Sequence, residues 1–344
     1  MGGISTIGTA AALSPDLVFS QKEKPEIIKP QRLQSGDTVG LIAPASGVFE
    51  PATIREGRET LKSLGYKVKL GKNISKQFGY LAGSDKGRVD DLHRMFKDDK
   101  VKAIVAIRGG YGSMRILNLI DYELIKNHPK ILLGYSDITA LHLAIHAVTG
   151  LVTFHGPVAI SRFSQYTQKY FYQVVSSSSA IGEIEHPEPV YKLHPTAHFF
   201  TIHGGKAHGK LIGGNLTLLT ALLGTPFDYD TTNKIVFIEE VGEEPYSIDR
   251  MLTQLFLAGK LQSAAGIVID RCAKCGPRDY KPAFINTLSV EEVIKDRLQN
   301  LKIPIVFGFS LGHVADKPTL PLGIEVTLDA DNRKLIFEEG AVAA

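Results

Sequence analysis

From Asp37 onward, short apolar runs alternate with longer stretches of helical spacing. "TVGLIAPAS" is an apolar, β-branched run ending in a turn, "PATIREGRETLKSLG" has helical periodicity and a glycine stop, and "YKVKLG" reads as a strand. "SDKGRVDDLHRMFKDD" opens on a Ser/Asp cap and reads as a polar-faced helix, followed by the buried strand "VKAIVAI". "RGGYGSMRILNLI" then reads as a turn into a helix and "KILLGYS" as another strand. Strands alternating with helices imply a parallel sheet covered on both faces. The pattern predicts a doubly wound α/β domain over residues 35–161, preceded by a tail over 1–34.

Residues 162–208 lose this periodicity; "SSSSA", "HPEPV" and "GGKAHG" are turn signals, and the stretch reads as a linker and mobile surface. A second α/β unit over 209–340 follows. "GKLIGGNLTLLTALLGTP" reads as a Gly-rich turn and a short apolar helix, "KIVFIEE" and "AAGIVID" as strands, and "YSIDRMLTQLFLAGKL" as the amphipathic helix between them. "SVEEVIKDRLQNL" is a capped helix, "PIVFGFS" a strand, and "IEVTLDADNRKLIFEE" a hairpin turning at "DADN".

Composition narrows the function classes. The chain has 344 residues, 44% of them apolar, and a formal charge of +3 with Lys and Arg scattered, which favours neither nucleic acid nor an anionic membrane as partner. No run reaches the roughly 18 to 20 apolar residues of a membrane span. The two cysteines, Cys272 and Cys275, are too few for a disulfide framework and half of what a tetrahedral zinc site needs from thiolates. The small, mildly apolar N-terminus lacks a basic leader segment; it reads as a flexible tail or as the remnant of an export signal.

Ligands of open α/β sheets gather beyond the carboxyl ends of strands, so the residues just past each apolar run are the candidates. Four places stand out: "RGGYG", "YSD", "EE" after "KIVFI", and "SLGH" after "PIVFGF". They supply a hydroxyl, carboxylates and an imidazole. A serine needs a base to take its proton, and a carboxylate on the base's other N–H fixes the tautomer. Ser136, His313 and Glu239 suit these roles, in the chain order Ser, acid, His. Ser136 also suits a helix cap, and Glu239, Glu240, Glu243 and Glu244 also suit solvated strand ends; Glu239 is preferred because it follows the apolar run directly. "RGGYGSMR" lacks the patterns of a phosphate loop, and its amides serve equally as an oxyanion hole. His194, His198, His203 and His208 cluster in the irregular middle without an acidic partner at helical spacing, which argues against a metal site; His142 and His155 read as packed residues.

Taken together, "GLIAPAS", "AIRGGYGSMRIL", "GYSDITALH", "HGP", "LIGGNLTLLTALLGTP", "IEEVGEEPYSIDRML" and "GFSLGHVADKPTLPLG" resemble, in order, the hallmarks of the L,D-carboxypeptidase serine peptidases, the muramoyltetrapeptide carboxypeptidase family. The resemblance spans about Ser35 to Glu338. It implies a flavodoxin-like N-terminal domain, a smaller sheet-rich α/β C-terminal domain, an active site between them and a homodimer. It implies a Ser136–Glu239–His313 triad, with the backbone amides of Asp137 and the Gly109–Gly110 turn as oxyanion hole. The activity implied is release of C-terminal D-alanine from murein tetrapeptides through an acyl-enzyme, with no metal or cofactor. Such an enzyme must hold a free carboxylate, for which Arg108 and Arg250 are candidates by position. A related branch, the microcin C immunity peptidases, hydrolyses amides of peptide- or aminoacyl-nucleotides and uses a Trp to hold the nucleotide; this chain has no Trp. A catalytically silent module binding murein fragments is the non-enzymatic alternative. Family members with known roles act in the cytoplasm, and export to the periplasm is the alternative if the tail is a signal remnant.

Overall fold

The apolar runs of the first half become strands because each can bury both of its faces. The structure, a computed structural model, describes residues 25–187 and 198–344. Most of the N-terminal tail, and His194, therefore lie outside the described residues. The first elements are β1 (Thr38–Ile42), α1 (Pro51–Ser63), β2 (Lys67–Leu70), α2 (Asp85–Lys97) and β3 (Val101–Ala106). Next come α3 (Tyr122–Asn127), β4 (Ile131–Gly134), α4 (Thr139–Thr149) and β5 (Thr153–His155). Ser84 caps α2 by accepting from Gly87 N at 3.1 Å, and Asp85 in the first turn suits the positive end of the helix. Every residue of β4 is buried, as a central parallel strand requires.

These five strands are parallel and lie in the order β2-β1-β3-β4-β5, the flavodoxin-like order. The direction of winding reverses between β1 and β3, so the loops after those strands open a crevice at the carboxyl edge. "RGGYGSMRILNLI" leads into a 3-10 helix over Ser113–Leu119 where the spacing predicts an ordinary helix.

The rest of the chain supplies α5 (Gln165–Ser176), β6 (Gly182–Glu183), β7 (Phe200–His203), β8 (Lys206–Asn215), α6 (Leu216–Ala221), β9 (Ile235–Glu239) and α7 (Pro245–Leu257). It closes with β10 (Gly266–Asp270), α8 (Val290–Leu298), β11 (Ile305–Phe309), β12 (Leu320–Leu322), β13 (Glu325–Asp329) and β14 (Lys334–Phe337). A second sheet has the order β6-β14-β13-β8-β9-β10-β11-β7, with β8 to β11 parallel and the flanks antiparallel. The molecule is thus a mixed α/β fold built on two sheets.

Three expectations change. Residues 162–208 contain α5, capped by Ser164 on Thr167 N at 3.2 Å and packed through Tyr170, Phe171 and Val174. The glycine run "GKLIGGN" belongs to strand β8: a Cβ on Gly213 would lie 1.9 Å from Phe237 O, so only glycine lets the two backbones approach there. Finally, β12 leaves the C-terminal half and pairs antiparallel with β5 at the edge of the first sheet. Its central Pro321 is tolerated at an edge, where one N–H has no ladder partner to meet.

The units meet where chemistry is expected. Asn215 N at the end of β8 donates to Thr139 Oγ1 at 3.1 Å, and a Cβ on Gly214 would lie 2.5 Å from Thr139 Cγ2. The carboxyl edge of the second sheet is therefore fixed to the start of α4, three residues after Ser136.

Candidate active site

Ser136 follows β4 after one residue, Tyr135, and has φ 65°, a left-handed conformation that costs a non-glycine residue about 1 to 3 kcal/mol. Such strain at a sharp strand-to-helix turn lifts a side chain out of the ladder and presents it at the sheet edge. Tyr135 stands at the cap of the 3-10 turn Ser136–Ile138 and Ile138 at that of α4, so Ser136 is the capping residue of neither. The turn is closed over by the loop after β3: a Cβ on Gly109 would lie 3.0 Å from Ser136 Cβ, 3.1 Å from Tyr135 O and 3.3 Å from Asp137 N. Gly110, at φ 110°, sits so close to Ser46 that a Cβ would fall 2.3 Å from Ser46 Oγ. Ser46 Oγ in turn accepts from Tyr111 N at 3.0 Å. Loops after β1, β3 and β4 therefore converge on one point, and the Gly110 N–H, bonded to no described residue, is left for a ligand.

Asp137 turns its carboxyl away from this point. Its Oδ2 accepts from Ser113 N at 2.8 Å, Ser113 Oγ donates to its carbonyl oxygen, and burial raises its pKa. The adjacent acid thus organises the start of the 3-10 helix, leaving its backbone as its contribution to the turn.

The other half of the site comes from the carboxyl ends of β9, β10 and β11. Glu239 ends β9 fully buried, and its Oε2 bonds His313 Nδ1 at 2.7 Å. Gly312 lies directly over this carboxylate: a Cβ there would lie 2.2 Å from Oε2. His313 stays 18% exposed, enough to reach a ligand, and its Nε2 bonds no described residue. Tyr135 packs on the imidazole at 4.8 Å between ring centroids, which holds His313 beside the serine turn. Ser136 Oγ and His313 are not hydrogen-bonded to each other; catalytic contacts of this kind commonly tighten only when substrate binds.

Glu240 is not a solvated strand end. It is buried and accepts from Asn215 Nδ2 at 2.9 Å, Thr217 N at 2.9 Å, Thr217 Oγ1 at 2.8 Å and Val241 N at 2.8 Å. Its carboxylate fixes the entry to α6, and burial raises its pKa. Glu244 is buried too, accepting from Ala283 N at 2.8 Å and facing Arg278 at 3.2 Å.

Two residues escaped the sequence reading. Asp270 ends β10 as Glu239 ends the adjacent β9, and its Oδ1 accepts from Leu311 N at 2.8 Å and Gly312 N at 3.4 Å. It thereby anchors the backbone leading into His313. Burial, reinforced by nearby Glu239, raises its pKa to about 6. The rule that selected Glu239, an acid closing an apolar strand, applies equally to the Asp of "GIVID". Lys317 is buried with its ammonium 4.9 Å from the Tyr135 ring centroid; burial lowers its pKa while Asp270 and Glu239 oppose the shift. Nothing in "ADKPT" marks that lysine as internal.

Of the two arginines, Arg108 is half-buried beside Gly109 and makes no hydrogen bond or ion pair with a described residue. Arg250 is exposed on α7, where it donates to Ser247 Oγ at 3.3 Å and lies over Tyr246; no contact joins it to Ser136, Glu239 or His313. His198 pairs with Glu291 at 2.7 Å, His203 with Gln299 O, and His208 with Glu325 at 3.3 Å, so these histidines do not converge. Among the described residues no group of three His, Cys, Asp or Glu is placed to hold a metal. His142 is packed, bonding Gly134 O at 2.8 Å, and buried His155 bonds Leu311 O at 3.1 Å, steadying the same loop as Asp270.

Comparison with known proteins matches both halves of the chain to one family. A model of the LD-carboxypeptidase N-terminal domain matches residues 39–156, and one of the LD-carboxypeptidase C-terminal domain matches residues 208–328. The probable murein peptide carboxypeptidase of Bacillus subtilis is 43% identical over 316 residues, 91% of this chain and 95% of that protein. Among solved structures, the microcin C7 self-immunity protein MccF, an inactive mutant in its apo state, aligns with a TM-score of 0.82 at 27% identity, covering 92% of this chain and 99% of that one. The muramoyltetrapeptide carboxypeptidase from Oxalobacter formigenes aligns with a TM-score of 0.74 at 28% identity, over 89% and 100% of the two chains.

Proposed function

The chain belongs to the LD-carboxypeptidase family of serine peptidases, and from that premise we propose that it releases C-terminal D-alanine from murein tetrapeptides through Ser136, His313 and Glu239. The observation that carries the reading is the buried Glu239–His313 bond at 2.7 Å, beside a serine held at φ 65°. Ser136 Oγ attacks the carbonyl carbon preceding the terminal D-residue while His313 Nε2 takes its proton. The negative charge that develops on the carbonyl oxygen is met by the N–H groups of Gly110 and Asp137. Glu239 holds His313 in the tautomer that leaves Nε2 free to accept, and stabilises the imidazolium. His313 then gives the proton to the departing amine, the C–N bond breaks, and D-alanine leaves. Water, deprotonated by the same His313, attacks the Ser136 ester; the tripeptide acid departs and the serine is restored.

The test is D-alanine release from a murein tetrapeptide by the wild-type chain and by Ser136→Ala. Release by the wild type alone supports the reading, and equal release by both removes Ser136 as nucleophile. A second reading, hydrolysis of an aminoacyl nucleotide amide, draws on the TM-score of 0.82 with MccF, a protein also solved in complex with aspartyl sulfamoyl adenosine. The lack of any Trp in this chain favours the murein substrate. A panel of tetrapeptide and aminoacyl nucleotide analogues separates the two. We further propose a homodimer acting in the cytoplasm, to be checked by light scattering and by fractionation of cells producing the protein.

A further inference from the structure

The loop that presents His313 continues through Asp316 and Lys317 towards β12, and Lys317 turns inward, only 5% exposed. Its backbone N donates to Thr167 Oγ1 at 3.3 Å, which ties that turn of the loop to α5. Its ammonium lies 4.9 Å from the Tyr135 ring centroid, and the same ring packs on His313 at 4.8 Å. The cation and the imidazole are thus held against one aromatic ring, itself one residue from Ser136.

A buried ammonium is normally paired or hydrogen-bonded. That of Lys317 forms no hydrogen bond or ion pair with any described residue. Two buried carboxylates are close by, yet Glu239 Oε1 and Asp270 Oδ2 are themselves without hydrogen-bond partners. An ion pair built for stability would close those gaps. What the structure holds instead is an ammonium on an aromatic ring, near two acids but bonded to neither, with its N–H donors uncommitted. The Tyr135 face favours the cation and takes up none of those donors.

We propose that Lys317 is the anchor for the terminal carboxylate of the substrate, a specificity-determining residue for peptides with a free C-terminus. The inference rests on the carboxypeptidase reading of the site. In such a substrate the carboxylate carbon lies one residue, about 3.5 Å of chain, beyond the scissile carbonyl carbon. An anchor must therefore stand close to the serine turn, as a cation on the Tyr135 ring does. A single ammonium is a point charge that accepts a carboxylate in several orientations, where an arginine fork imposes one plane. Arg250, exposed and engaged on its own helix, is less well placed for this task.

The experiment compares a tetrapeptide ending in D-alanine with its C-terminal carboxamide. Binding is measured by calorimetry in the Ser136→Ala background, which needs no turnover. With Lys317 present the acid is expected to bind at least tenfold more tightly than the amide; in Lys317→Met that preference should vanish, and Lys317→Arg should restore part of it. The near-ultraviolet circular dichroism of Lys317→Met should superimpose on that of the parent, showing the fold preserved, and Lys317→Arg, which keeps the charge, is the second variant that keeps the test decisive. An acid-over-amide preference that survives in Lys317→Met, or that is missing when Lys317 is present, overturns the proposal. Failure of the wild type to release D-alanine overturns the functional reading instead, because the binding contrast is read without turnover.

Discussion

At the ends of β3 and β4 the site is made of backbone, whereas at the ends of β9, β10 and β11 it is made of buried side chains. The first half depends on a serine at φ 65° and on two glycines, Gly109, where a Cβ would press on Tyr135 and Ser136, and Gly110, where one would collide with Ser46. The second half depends on Glu239 and Asp270, both fully buried, one on the imidazole and one on the backbone before it. Geometry in the first half is fixed chiefly by sterics. Geometry in the second is fixed by acids in a low-dielectric setting, and at Asp270 burial raises the pKa to about 6. Substitutions that remove a reacting atom, an orientation, a backbone shape or a charge should therefore separate the two halves.

The largest effect is expected from the nucleophile. Ser136→Ala should lower kcat by about 10⁶-fold, as loss of a serine nucleophile does elsewhere. Ser136→Gly should lose the same activity yet gain up to about 1 kcal/mol of stability in urea unfolding, because glycine occupies φ 65° without strain. A glycine variant no more stable than the alanine variant would show that the turn stores no strain.

Next is orientation of the base. Glu239→Gln keeps the shape but turns an acceptor towards a donor, and should lower kcat by about 10⁴-fold. Fluorophosphonate labelling should fall with it, since the reagent needs the same activated serine. Unchanged labelling would mean that Glu239 does not act through His313. Smaller again is Gly110→Ala: with its φ of 110° and the contact with Ser46, the added methyl must displace an oxyanion N–H, and kcat should drop by about 10²-fold with substrate affinity little changed. A loss confined to affinity would take Gly110 out of the oxyanion hole.

What the sequence made legible follows the same division. Ser136, Gly110, Glu239 and His313 are all singled out as candidates by one local rule, that the residues just past an apolar strand line the sheet edge where ligands gather. The parallel first sheet was legible because each strand and helix carries its own periodicity. Lys317 and the burial of Glu240 and Glu244 were not legible, because a charged residue in a loop looks the same whether the rest of the fold covers it or leaves it in water. Helix α5 was hidden among serine-rich turn signals and built from aromatics of modest helix propensity; it is held by packing through Tyr170 and Phe171. β12 was hidden because three residues around a proline carry no periodicity, and only the partner strand β5 makes them a strand.

The smallest and most selective effect is expected at Asp270. Asn at this position keeps an oxygen for Leu311 N and Gly312 N, so kcat should fall less than about tenfold. Charge is what the substitution removes. The Asp270 carboxyl has its pKa raised from 3.8 to about 6, mainly by burial, so the folded chain binds this proton more tightly than the unfolded chain. Its contribution to stability is therefore most favourable below about pH 4 and is lost as pH rises through about 6, for a total of roughly 3 kcal/mol. Above that range Asp270→Asn should be the more stable protein relative to its behaviour at pH 4, and the difference between the two urea-unfolding curves should open between pH 4 and pH 6. Glu239, Lys317 and Cys272 face Asp270 and are present in both proteins. A difference that stays flat with pH would mean that the Asp270 carboxyl titrates alike in the folded and unfolded chains, and burial would then not govern its charge.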